Sequence, residues 1–74
     1  MAELTFKITE EIGVLSHTAK GWTKEFNQVS WNNRDPKFDI REWDPEHKKM
    51  SKGITLTKEE VIQLKELLNS IDLD

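Results

Sequence analysis

The residues of this chain that could do chemistry are aromatic and cationic, and they interleave. Trp22, Lys24 and Phe26 fall at alternate positions, as do Lys37, Asp39, Arg41 and Trp43. Alternate side chains of an extended strand share a face, so each segment sets a ring and one or two cations on one side of a sheet. Trp31 falls in the opposite phase from Trp22, and Lys20 and Lys52 add cations near the ends of these segments. Flat rings among Lys and Arg suit unpaired bases. Stacking is worth roughly 1–3 kcal/mol per base, and the cations follow the phosphates. Each feature also has a plainer use. The rings can be core or dimer contacts, the lysines solvated guards of a strand edge, and Arg41 the partner of a carboxylate such as Asp39 or Glu42.

Other chemistry finds little support. The chain has no cysteine, which excludes disulfides, a thiol nucleophile and thiolate zinc sites. There is no nucleophile elbow and no glycine-rich phosphate loop. Glu10 and Glu11 are adjacent, so a strand points them to opposite faces and they cannot act as an acid–base pair. Ser16 beside His17 lacks a positioned third partner. Asp44, Glu46 and His47 can be drawn as a metal set, but Asp-Pro-Glu is a common turn. His17 and His47 lie too far apart to give ligand spacing, and both read as exposed loop residues. The expectation is a protein that is not an enzyme, with no cofactor, no metal and no small-molecule substrate.

Charge and length narrow the reading further. The net charge is −3 over 74 residues, yet residues 17–56 carry eight basic side chains against six acidic ones, and the acid gathers at the two ends. A modest basic face is compatible with an acidic whole. A chain this short has a marginal core, and small scaffolds without disulfides gain stability by oligomerising. No apolar run approaches the roughly 20 residues of a membrane helix, and no signal segment is visible. A cytoplasmic protein away from membranes is expected.

These side chains need elements to hold them. Leu4, Phe6 and Ile8 alternate as a strand, and Ile12-Gly13-Val14-Leu15 either continues it or pairs with it, Gly13 marking a bulge. Ser16 to Gly21 reads as a loop, Trp22 to Trp31 as a second strand and Asn32 to Pro36 as a turn. Lys37 to Trp43 alternates cleanly; Phe38 and Ile40 would face a helix, and Lys37, Asp39, Arg41 and Trp43 the open side. A turn at Asp44-Pro45-Glu46 precedes the short strand Ile54-Thr55-Leu56. Thr57-Lys58-Glu59-Glu60 has the capping-box form, and Val61, Leu64, Leu68 and Ile71, with Leu67 beside them, make an apolar stripe over a helix at about 58–70. The expected fold is α+β: one domain over 1–74, a curved four-stranded antiparallel sheet followed by one C-terminal helix, homodimeric.

Taken together, Lys37-Phe38-Asp39-Ile40-Arg41-Glu42-Trp43, Asp44-Pro45-Glu46, Lys52-Gly53-Ile54-Thr55-Leu56 and the capped helix resemble the positive-cofactor-four (transcriptional coactivator p15) family. Gly21-Trp22-Thr23-Lys24-Glu25 and Val29-Ser30-Trp31-Asn32 are similar to its bacterial YdbC-like branch. The resemblance covers about residues 12–70, and its motifs are specific in combination rather than singly. It implies a homodimer whose paired sheets form a channel for single-stranded DNA with little sequence preference. It assigns DNA contacts to Arg41 and Trp43, and also to Lys24, Phe26, Trp31, Lys37 and Lys52. Many eukaryotic members carry a longer aromatic pair where this chain has Trp43 alone, and their Ser-rich arm is missing here, so a coactivator role need not follow. Single-stranded RNA is the alternative partner, since nothing here reads a 2′-hydroxyl; a protein-interaction module using the aromatic face is the other. Arg41→Ala and Trp43→Ala are expected to weaken binding with the fold intact.

Overall fold

The computed structural model describes residues 4–73. Four strands, β1 (Phe6–His17), β2 (Thr23–Trp31), β3 (Lys37–Trp43) and β4 (Ile54–Leu56), form one sheet in the order β1-β2-β3-β4, and helix α1 (Lys58–Ser70) follows. All three pairings are antiparallel, so the expected α+β architecture is the one observed. The turns follow from residue type. Gly21 takes φ 87 where β1 hands over to β2, and Asn32 and Asn33 take φ 50 and 62 after β2. Glycine and asparagine are the residues that enter the left-handed region most readily.

β1 is longer than expected, since Ser16 and His17 belong to it rather than to the loop. Its pairing with β2 slips three times, between Ile8 and Glu10, Glu11 and Gly13, and Val14 and Ser16. Each slip leaves one extra residue (Thr9, Ile12, Leu15) without a partner in the register. Gly13, paired with Phe26, bounds the second slip and so marks a bulge as expected. A bulge bends a strand and strengthens its twist. The result is that Phe6, Ile8, Glu11, Val14 and His17 lie opposite Trp31, Val29, Asn27, Glu25 and Thr23. One face of β1 is thus read at nearly every third residue.

β2 and β3 pair without a slip, Thr23 with Trp43 through to Val29 with Lys37, so odd-numbered residues of both strands share one face and even-numbered residues the other. The core lies on the odd face. Val29 and Trp43 are fully buried, together with Asn27 and Asp39, and Glu25 is buried beside them. Phe6 reaches across from β1 to pack its ring 5.2 Å from Trp43 and 6.1 Å from Trp31, centroid to centroid. The loop after β3 closes the other side of Trp43: Met50 pairs with its backbone and the His47 ring stacks on it at 5.9 Å. The even face carries Phe26 stacked on Phe38 at 5.8 Å, with Ile40, Leu56 and Ile54 beside them, all half-buried or exposed.

The capping box of α1 forms as its sequence requires. Thr57 Oγ1 accepts from Glu60 N at 3.1 Å, and Glu60 Oε1 accepts from Thr57 N at 2.8 Å. The stripe of α1, however, is not laid over the sheet. The helix meets the sheet chiefly at β3, buries no residue, and leaves Ile62, Leu64, Leu67, Leu68 and Ile71 exposed. A thirteen-residue helix this loosely docked is marginal in water on propensity alone.

Gly53 shows why a glycine precedes β4. A Cβ there would sit 2.4 Å from the Ile40 carbonyl oxygen and 2.4 Å from Arg41 Cβ, so β4 could not approach β3 without moving. Gly53→Ala is expected to lower stability by about 1–3 kcal/mol, the usual cost of overpacking. Urea unfolding followed by far-UV circular dichroism reads this, and an unchanged midpoint would contradict the close approach.

Candidate nucleic-acid interface

The sharpest geometry on the odd face is built around Arg41. Its guanidinium grips Asp39 with two hydrogen bonds, Nε to Oδ2 at 2.6 Å and Nη2 to Oδ1 at 2.8 Å. Thr55 Oγ1 donates to the same carboxylate at 3.1 Å from β4. Asp39 is fully buried. A buried carboxylate requires a paired charge and further donors, and the alternation of β3 supplies Arg41 two residues on. Held this way, the guanidinium lies over the Trp31 ring, 4.6 Å from its centroid. The pair combines a planar cation with an indole, the arrangement in which arginine–aromatic attraction is largest. Trp31 is half-buried, and exposed Lys37 follows on the same face, opposite Val29.

The structure divides the nominated residues between two faces. Trp31, Lys37, Arg41 and Trp43 share the odd face. Phe26 and Lys24 are even-numbered in β2, opposite Ile40 and Glu42. Trp22 and Lys20 line a notch with Thr18, Ala19 and Glu42, and so belong with that second group. Lys52 is exposed in the segment entering β4. The expectation of one shared aromatic platform is therefore corrected. Each strand alternates as read, but the register sets Trp22, Lys24 and Phe26 back to back with Arg41 and Trp43. Trp43 is corrected too: it is on the expected face but fully buried, because Phe6 and His47 cover its ring. Arg41 makes the carboxylate pair that the plainer reading allowed, with Asp39. Removing either side chain strikes the fold, so Arg41→Ala and Trp43→Ala are not fold-neutral probes of binding.

Sequence reasoning missed a polar network at the other end of the odd face. Glu25 is buried on β2. Its carboxylate accepts a short hydrogen bond from Thr23 Oγ1, one from Asn27 Nδ2 at 2.9 Å, and faces His47 Nε2 at 2.8 Å. Burial alone would raise its pKa; the hydrogen bonds from Asn27, Thr23 and His47 outweigh this and hold the carboxyl below the ordinary glutamate range. His47 is half-buried rather than an exposed loop residue. It takes φ 57, in a turn organised by Asp44, whose Oδ1 accepts from Lys49 N and Lys48 N at 2.7 Å each. Those backbone donors, Lys49 first, hold the Asp44 carboxyl below its usual range. Glu11 comes to the same place from β1. The signal that could have found it is the three-residue spacing of a repeatedly bulged strand.

The part of the chain that holds both face groups, β2 to most of α1, is also the part that matches a known family. The family model described as Transcriptional Coactivator p15 (PC4) matches residues 18–67. The chain belongs to this family. A protein of Treponema pallidum (strain Nichols), described as uncharacterized, is similar at 46% identity over 69 residues, which cover 93% of this chain and 81% of that protein. In this p15-family chain the matched region begins at the end of β1 and covers β2, β3, β4 and most of α1.

Proposed function

We propose that the protein is a homodimeric single-stranded DNA-binding protein with little sequence preference, acting in transcription regulation or in DNA replication and repair. Membership of a transcriptional coactivator family supports a nucleic-acid partner, and the resemblance to the bacterial YdbC-like branch supports the single strand. The observation that carries the reading is the Arg41–Trp31 stack with Lys37 beside it. A base can stack on the part of the Trp31 ring that Arg41 leaves uncovered while the lysine meets its phosphate. The even face has a different use in this reading. Phe26, Phe38, Ile40 and Ile54, together with the exposed stripe of α1, form the surface on which a second copy packs, because an apolar helix and a half-covered sheet face are unfavourable in water. Lys20, Trp22 and Lys24 stand at the far end of β2 from Trp31 and serve as outlying contacts.

The two faces can be tested apart. Trp31→Ala combined with Lys37→Ala is expected to weaken oligo-dT binding by about 2–4 kcal/mol, from one lost stacking partner and one lost phosphate contact. Trp22→Ala combined with Lys24→Ala should weaken it less. Fluorescence anisotropy on labelled oligo-dT reads both, with sedimentation to follow the dimer. If the second pair abolishes binding and the first leaves it intact, the even face is the interface. Competition by a matched RNA oligonucleotide decides between the sugars.

A further inference from the structure

We propose that Glu11, Glu25 and His47 form a binding site for one divalent transition-metal cation of the zinc type, joining β1, β2 and the loop after β3. One imidazole nitrogen and two carboxylate oxygens from these residues all lie within 4.8 Å of one another. They open into a cleft of about 320 Å³ that Thr23, Asn27 and Pro45 also line. Zinc takes bonds of about 2.0–2.2 Å to such donors, which places tetrahedral ligands roughly 3.3–3.6 Å apart. Reaching that spacing asks Glu11, whose side chain is exposed and has rotamers to spare, to move in, and the Glu25–His47 pair, now 2.8 Å apart, to open by roughly 0.5–0.8 Å.

Two of the ligands are already oriented. Thr23 and Asn27 hold the Glu25 carboxylate, and the His47 ring is stacked on Trp43. Fixed outer partners of this kind tune and position metal ligands. The cation would take the place of the hydrogen between His47 Nε2 and Glu25 Oε2, now 2.8 Å apart. An independent observation points the same way. Asn27 is 1% exposed and lines the cleft, and its Oδ1 has no hydrogen-bond partner among the described residues. A buried carbonyl oxygen without a donor is costly; this one is covered in the empty site, and a turn of the amide toward the cleft would give it a cation's bound water as partner. Charge agrees as well. Arg41 stands opposite Glu25 in the register but is committed to Asp39, so no lysine or arginine faces the Glu25 carboxylate in the ion pairs given for the described residues. The imidazole selects a zinc-type ion over magnesium or calcium, which prefer all-oxygen shells. The fourth position stays open to water from the solvent side.

The test uses the full chain, stripped with EDTA and exchanged into metal-free buffer. Isothermal titration with zinc ions is expected to show one site per chain, and thermal unfolding a raised midpoint, with magnesium producing neither. Glu11→Gln and His47→Gln should each weaken binding by more than the roughly 10–100-fold that loss of an outer partner costs, and abolish the thermal shift. His17→Gln should retain both. Glu11 is an exposed strand residue, so its variant keeps the fold, checked by far-UV circular dichroism, and isolates the ligand role from any structural role of His47. Absence of zinc binding by the unaltered chain, binding undiminished in Glu11→Gln, or loss of binding in His17→Gln would each overturn the site. None of these readouts involves nucleic acid, so the outcome is independent of the function proposed above.

Discussion

Trp43→Ala is expected to lower folding stability by about 3–5 kcal/mol, the range for removing a buried tryptophan. The reasons are local. Trp43 is fully buried, packed by Phe6 from β1 and by the His47 ring, with its backbone bridged to Met50 in the loop after β3. Few other apolar side chains are fully buried: Val29 is the other among the described residues. A small domain has total stability near the lower end of about 5–15 kcal/mol, so this one change removes most of it. Urea unfolding should show a large fall in midpoint or a chain already unfolded without denaturant. Trp43→Phe, which keeps a ring between Phe6 and His47, should lose much less. A midpoint unmoved by Trp43→Ala would mean that the indole is not the centre of the core.

The second large effect belongs to Arg41. Arg41→Ala leaves the buried Asp39 carboxylate with Thr55 as its remaining side-chain donor, and stranding one member of a buried pair costs about 3–5 kcal/mol. Asp39→Ala should cost less, because the Arg41 side chain is 13% exposed and water can reach it. The double variant should be more stable than the sum of the two losses predicts, by about 0.5–3 kcal/mol, since no buried charge is then unpaired. Additive losses would contradict the coupling. Arg41→Lys should recover only part of the stability, because an ammonium cannot form the two-pronged contact or lie flat on Trp31. Its oligonucleotide affinity should fall further than its stability.

These two residues also show what could be read from the chain and what could not. The strict alternation of Lys37 to Trp43 gives the faces of β3 directly, and Thr57-to-Glu60 gives the start of α1, because both signals are local. The phase of β2 against β3 is not local. Phe26 meets Ile40 only through the register, so two strands that each alternate aromatic and cation turn out to present those sets to opposite sides. β1 keeps the period of two from Phe6 to Ile8, as read, and loses it beyond. Its bulges bring Ile8, Glu11, Val14 and His17 to one face, and a strand that slips every third residue resembles no standard pattern. The network of Glu11, Glu25 and His47 needs that slippage and the closure of the loop after β3 as well, and the residues come from three separate segments. The burial of Trp43 has the same origin. Alternation gives the side to which the indole points, but not that Phe6 and His47 cover it.

The central claim is that the odd face binds a single strand through stacking and phosphate contacts in a dimer. It is tested most directly by titrating a short labelled oligo-dT into the purified protein at low and at moderate salt, following anisotropy and tryptophan emission together. The predicted result is tight binding at low salt, quenched tryptophan emission and one strand per two chains. Affinity should fall linearly with log salt at a slope of about −0.7 per phosphate neutralised. Absence of binding at low salt, or binding that leaves both tryptophan emission and the salt response flat, would contradict it.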